Sequence, residues 1–179
     1  VPPLAALVLA VALSLAPGPR TAPPPGLLGA TVPVGVWPLQ PRPEVVAPFD
    51  PPDSPYGPGH RGVDLLGAPG QAVHAALPGT VTYAGRLAGR GVVVVDHGAT
   101  RTTYQPVVAS VSVGATVTAG AVLGTLELPG SHCFPRACLH WGWILGAQTY
   151  LDPLLLVGLG PVRLLPLWGG EPARAPPTR

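Results

Sequence analysis

Gly91-Val92-Val93-Val94-Val95-Asp96-His97-Gly98 is a continuous apolar run closed by a turn, the pattern of a central strand buried on both faces. Arg101 to Gln105 follows at the distance of a hairpin return. Upstream, Gly79-Thr80-Val81-Thr82-Tyr83-Ala84-Gly85 is β-branched and aromatic between glycines. Downstream, Val111-Ser112-Val113-Gly114 and Val117-Thr118-Ala119-Gly120 stop at glycine, Ala121 to Leu128 carries Gly124 inside it, and Leu139 to Leu145 reads as a further strand. No amphipathic helical stripe of useful length is present, although Leu151 to Leu159 could wind into a short helix. Short strands turning about every eight residues predict an all-β fold, an antiparallel sheet sandwich or partly open barrel.

Composition agrees. The chain has 179 residues, enough for one domain, and combines 47% hydrophobic residues with only 10% charged, 24 Gly and 27 Pro. Ten Arg, eight acidic residues and no Lys leave a net charge of +2, with no basic patch for nucleic acid. The absence of Lys also rules out a biotinyl or lipoyl carrier, whose glycine-rich strands look similar. Leu4 to Ala16 is apolar apart from Ser14, the length of a signal-peptide core and short of a bilayer span. Segment 1–16 is therefore expected to direct export to the cell envelope or beyond, with transient membrane contact, and Ser14-Leu15-Ala16 offers small residues for cleavage. Residues 17–43 are Pro-rich and aperiodic and read as a linker, with Trp37 able to dock on the domain. The domain is expected over 44–157 and a Pro-rich tail over 158–179. Cys133 and Cys138 lie five apart; in an exported protein they read as a disulfide, and in a reducing compartment as free thiols or metal ligands.

Gly59-His60-Arg61-Gly62-Val63-Asp64-Leu65 presents a His and a carboxylate four apart. On a straight strand they would stand roughly 13 Å apart, too far to share a metal. Gly62 and the Pro-rich lead-in make a bend that would bring them together. Cys138-Leu139-His140-Trp141-Gly142-Trp143-Ile144 alternates, with Cys138, His140, Gly142 and Ile144 on one face. Two imidazoles and one carboxylate form a zinc set that leaves a fourth position open.

The Gly-His-x-Gly-x-Asp setting of His60 and Asp64, a β-rich stretch, then Leu139-His140-Trp141-Gly142 resembles the lysostaphin-type (LytM-type) zinc metallopeptidases, in a variant similar to actinobacterial members. Pro78-Gly79-Thr80-Val81, Val95-Asp96-His97-Gly98, Val113-Gly114 and Ala119 to Gly124 are similar as well, so the resemblance covers about residues 44 to 157. It implies zinc held by His60, Asp64 and His140, and a secreted endopeptidase that cuts peptide bonds of peptidoglycan. Zinc would polarise the scissile carbonyl and acidify its water.

Two positions depart from the family. Its His-x-His opens with a catalytic His, where this chain has Cys138; its Tyr-x-His becomes Tyr104-Gln105-Pro106. Neither Pro nor Gln exchanges a proton near neutral pH, which raises an alternative: a catalytically degenerate zinc-binding domain that binds peptidoglycan or activates a partner hydrolase. Of the other histidines, His97 reads as a turn residue and His74 has no assigned role. His132, beside Cys133, reads as a loop residue that could also reach the metal as a substitute catalytic base.

Overall fold

The computed structural model describes residue 32, residues 34–54 and residues 57–159. The expected export segment, the start of the Pro-rich stretch and most of the expected tail lie outside the described residues. Among these residues the strands are β1 (Val45–Ala47), β2 (Val63–Gly67), β3 (Ala72–His74), β4 (Gly79–Leu87), β5 (Arg90–Asp96), β6 (Thr100–Gln105), β7 (Val107–Ala109), β8 (Thr116–Val117), β9 (Val122–Leu126), β10 (Ala137–Leu145) and β11 (Thr149–Leu151). One eight-stranded sheet runs β1-β2-β10-β6-β5-β4-β8, with β11 also paired to β10, and β3-β9-β7 form a second sheet. Every ladder is antiparallel. The fold is all-β and open.

The valine run behaves as its pattern dictates. It is β5, hydrogen-bonded between β4 and β6, with Val92, Val93 and Val95 buried. Its hairpin partner is β6, which pairs Val93 with Tyr104 and Val95 with Thr102. Val63, Leu65, Leu139, Trp141 and Tyr104 pack from the large sheet into one cluster with Val73, Leu123 and Leu126 of the small one. Strands of three to five residues (β1, β2, β3, β7, β11) are too short to print a period of two, so sequence patterning passed over them. The Val111–Gly114 piece is a bend and turn, because Gly114 takes a left-handed φ of 90°. Leu151 to Leu159 holds only a 3-10 turn, Pro153–Val157, capped by Asp152 Oδ1 accepting from Leu154 N at 2.9 Å.

Packing begins ahead of residue 44. Leu39 is fully buried, Val36 N donates to Ala76 O at 2.9 Å, and the Trp37 ring lies 6.5 Å from that of Trp141. The 34–43 stretch therefore lies along the core and contributes side chains to it.

His97 does more than end a strand. Its Nδ1–H donates to Pro78 O at 2.8 Å, so its Nε2 accepts from Thr102 Oγ1 at 2.9 Å. Thr102 Oγ1 in turn accepts from the Tyr104 hydroxyl at 2.9 Å, and that hydroxyl accepts from Ala76 N at 2.8 Å. The chain of donors runs in one direction and is complete only with neutral His97. Burial pushes the His97 imidazole below its ordinary value, against Pro78 O and Asp96, and pushes the Tyr104 phenol up to about 12. Neutral His97 is thus favoured in the folded state. Its contribution is fully present above the unfolded value of about 6.5 and is lost as pH falls through that value toward the lower folded one. Urea unfolding from pH 8 to pH 5 should show a steeper loss of stability in the wild type than in His97→Gln.

Candidate metal centre

In the sheet, Asp64 stands opposite His140 across β2 and β10, and Gln105 stands opposite His140 from β6. Register partners share a face, so Asp64, His140 and Gln105 form a row across three strands, on the face turned away from Trp141 and Tyr104. Cys138 shares that face, two residues before His140.

His60 enters from outside the ladder. A bend at Arg61 and Gly62 folds it back over the row, so that its Nε2 lies 3.2 Å from Asp64 Oδ1 and 3.0 Å from His140 Nδ1. The third edge, His140 Nδ1 to Asp64 Oδ1, is 2.9 Å. Gly62 permits the bend, since a Cβ there would sit 2.5 Å from Trp141 O and 2.8 Å from His140 Nε2. The other ring nitrogen of His60, Nδ1, donates to Pro48 O at 2.7 Å. A carbonyl only accepts, so the Nε2 lone pair of neutral His60 faces the cluster, the orientation a carbonyl behind a ligand histidine gives it.

The Asp64 side chain is almost wholly buried. Burial pushes its carboxyl up, yet hydrogen bonds from His132 and His140 and the charges of His140 and His60 hold it well below the usual carboxylate range. Burial pushes the His140 imidazole down, against the pull of Asp64 and reinforced by the charges of His132 and His60. The cluster is therefore a buried carboxylate facing His140, whose imidazole is biased toward neutrality, the form in which histidine ligates.

The donor set fits a zinc ion. Tetrahedral ligands at about 2.0–2.2 Å from one ion stand about 3.3–3.6 Å apart, and the edges here, 2.9, 3.0 and 3.2 Å, are slightly shorter, so the three donors would spread a little around the ion. Two ring nitrogens 3.0 Å apart also need a proton or a cation between them, because two lone pairs at that distance repel.

The loop before β10 adds His132. Its Nδ1 lies 3.3 Å from Asp64 Oδ2, and its ring centre lies 4.9 Å from that of His140. Cys133 and Cys138 form a disulfide, so Cys138 carries neither a thiolate nor a proton to exchange. Ser131 Oγ ties the loop further, accepting from Cys133 N at 3.2 Å and Cys138 N at 3.0 Å while donating to Arg136 O at 2.9 Å. Pro106 is buried after Gln105. His74, given no role from sequence, contacts Gly120 O at 2.9 Å away from the cluster. Sequence reasoning missed Pro48, which acts through its backbone, and Arg90, which meets His132 from 42 residues away. It set Gln105 aside for its chemistry without seeing its place in the row.

Arg61, the residue after His60, lines a groove of about 400 Å³ with Pro51, Asp53 and Tyr150; none of the cluster residues lines it. The Arg61 guanidinium lies 5.6 Å from the Tyr150 ring centre. No helix among the described residues is long and apolar enough to cross a membrane.

An open antiparallel β fold carrying a part-buried His–Asp–His cluster is the kind of domain found among metallopeptidases. The chain belongs to peptidase family M23, whose model matches residues 58–153. Uncharacterized proteins of Mycobacterium tuberculosis and Mycobacterium bovis are 51% identical over 135 residues, covering 73% of this chain and 54% of theirs. The chain thus spans about half the length of the curated relatives it matches. Helicobacter pylori Csd3 shares the fold with a TM-score of 0.61 at 22% identity, covering 75% of this chain and 37% of that one. The catalytic domain of lysostaphin from Staphylococcus simulans does so with a TM-score of 0.54 at 22% identity, over 65% of this chain and 92% of that domain. A chain of the SpoIIQ–SpoIIIAH pore-forming complex matches with a TM-score of 0.59 at 22% identity, over 70% of this chain and 92% of its own.

Proposed function

We propose that this chain is a slow zinc metallo-endopeptidase of the cell envelope, acting on peptide bonds of peptidoglycan. The observation that carries this reading is the convergence of His60 Nε2, Asp64 Oδ1 and His140 Nδ1 within 3.2 Å of one another. These three residues would hold the ion, which when bound supplies a Lewis acid for the scissile carbonyl and a water of lowered pKa. His60 is oriented by Pro48 O, Asp64 supplies the charge, and the groove along Arg61 and Tyr150 offers room for a peptide. Membership of the M23 family, a disulfide, and the apolar run of residues 4–16 support an exported protein.

The rate is expected to be low because proton handling is depleted. Cys138 is locked in its disulfide, Pro106 cannot exchange a proton, and the Nε2 of His132 faces Arg90 at 3.1 Å. General acid–base assistance is typically worth about 10² to 10⁴ in rate. Purified peptidoglycan incubated with zinc-loaded protein should release new amino termini slowly. A chelator should stop the release, and Asp64→Ala should be silent. The double variant Cys133→Ser/Cys138→His, which restores a histidine on the site face, should raise the rate at least about tenfold.

The same depletion favours a second reading, a zinc-binding domain that has lost cleavage and retains binding to peptidoglycan or a partner hydrolase. Wild-type release no greater than that of Asp64→Ala on several wall types would select it.

A further inference from the structure

His132 is the one histidine of the cluster that the three-ligand set leaves over, and its two ring nitrogens meet different partners. Nδ1 faces Asp64 Oδ2 at 3.3 Å, and Nε2 faces Arg90 Nη1 at 3.1 Å. A guanidinium has five N–H donors, no acceptor, and does not deprotonate in proteins. At that distance His132 Nε2 must accept, which excludes both the Nε2–H tautomer and the imidazolium, since each would set N–H against N–H. The proton of His132 therefore sits on Nδ1, aimed at the carboxylate. An imidazole nitrogen that carries a proton cannot ligate a metal.

We infer that Arg90 is a positioning residue that holds His132 in its Nδ1–H form, as a hydrogen-bond donor to Asp64, and so keeps it from closing the metal's fourth position. The inference rests on the zinc-site reading above. Without Arg90, His132 is free to lose the Nδ1 proton to Nε2 and to offer Nδ1 to the ion, its donor atom already lying within 4.8 Å of those of His60, Asp64 and His140. Two His and an Asp with an open position would then become three His and an Asp, a filled shell. The local structure is built for the contact. Arg90 begins β5 at the tip of the β4–β5 hairpin, where Gly89 takes a φ of 81°. Its stem crosses Gly130, where a Cβ would come within 2.9 Å of Arg90 Cγ and where φ is 84°. Gly130 therefore both turns the chain and leaves the channel through which Arg90 reaches His132. From the other side, the Cys133–Cys138 disulfide and the Ser131 hydroxyl hold the His132 loop against β10. Neither residue belongs to the triad, and the hydrogen bond is solvent-accessible, so its removal should leave the fold intact.

The test separates the tautomer from the metal. In metal-free full-length protein at pH 8, long-range proton–nitrogen correlation should show His132 protonated on Nδ1 alone. Arg90→Met should lose that exclusivity, and Arg90→Lys, which retains a donor, should keep it. In zinc-loaded protein, X-ray absorption should count two histidines in the wild type and three in Arg90→Met. A competing chelator should find zinc held about tenfold more tightly in Arg90→Met, and the gain should vanish in Arg90→Met/His132→Ala. Arg90→Met/His132→Ala should bind zinc no more tightly than His132→Ala alone, which puts the gain on His132. A wild-type Nε2–H signal, or an Arg90→Met spectrum identical to the wild type, overturns the hold of Arg90 on His132. Three histidines in the wild-type shell overturn the open position. Zinc bound by no variant, with the Nδ1–H signal intact, would instead bring down the metallopeptidase reading and with it the coordination half of the inference.

Discussion

Asp64→Asn should empty the metal centre while leaving the sheet standing. The substitution keeps the shape of a side chain that is almost wholly buried. It removes the single negative charge that His60, His132 and His140 all face, at 3.2, 3.3 and 2.9 Å. Four-ligand structural zinc sites are worth about 10–16 kcal/mol, so one ligand accounts for about 3 kcal/mol, or about 10²-fold in affinity. A three-ligand site has less to spare. Zinc carried through gel filtration should fall from about one ion per chain to background, and His140→Ala should do the same. Far-ultraviolet circular dichroism should show the β signal unchanged in Asp64→Asn. Zinc retained at wild-type stoichiometry in either variant would remove that residue from the centre.

Gly62→Ala should damage fold and site together, from a residue that is itself no ligand. The added Cβ would lie 2.5 Å from Trp141 O and 2.8 Å from His140 Nε2. The first is a backbone atom in the middle of β10, with strands paired on both sides, and it has nowhere to retreat. Relief has to come from opening the His60 bend, and that carries His60 away from Asp64 and His140. Overpacking of this kind costs about 1–3 kcal/mol, so a thermal midpoint several degrees lower is expected. The zinc loss should be out of proportion to it, since the displaced element is the one that closes the triad. A variant with wild-type zinc content and midpoint would show that the bend is slack. Gly70→Ala makes the control: a Cβ there meets nothing within 4 Å, so it carries only the backbone cost of a φ of 81° and should leave zinc content unchanged.

Much of this protein was legible in its residues. The Val92–Val95 run could only be a covered strand, because four consecutive apolar residues closed by Asp96 and Gly98 leave no polar face for solvent. Glycine-bounded β-branched segments determined the all-β class, because such residues fit a pleated, half-buried surface and glycine stops each run. Donor types made His60, Asp64 and His140 candidates, Gly62 offered the bend that would bring the first two together, and the resemblance of their motifs to the lysostaphin-type family singled them out. The close pair Cys133 and Cys138 offered either a disulfide or free thiols according to compartment, and the structure joins them in a disulfide.

Tertiary structure decided what depended on partners distant in sequence. That His132 meets Asp64 follows from how β2 and the loop before β10 come to lie side by side, a neighbourhood no local pattern encodes. Arg90 reads as an ordinary hairpin-tip charge until the fold sets it against His132. Pro48 enters through a carbonyl, which every residue has and no sequence can single out. His97 looks like a turn residue until Pro78, Thr102, Tyr104 and Ala76 complete its chain of donors. Residue type sets which chemistry a side chain can perform. The fold sets which lone pair meets which proton, and in this protein that assignment separates a metal ligand from the histidine held beside it.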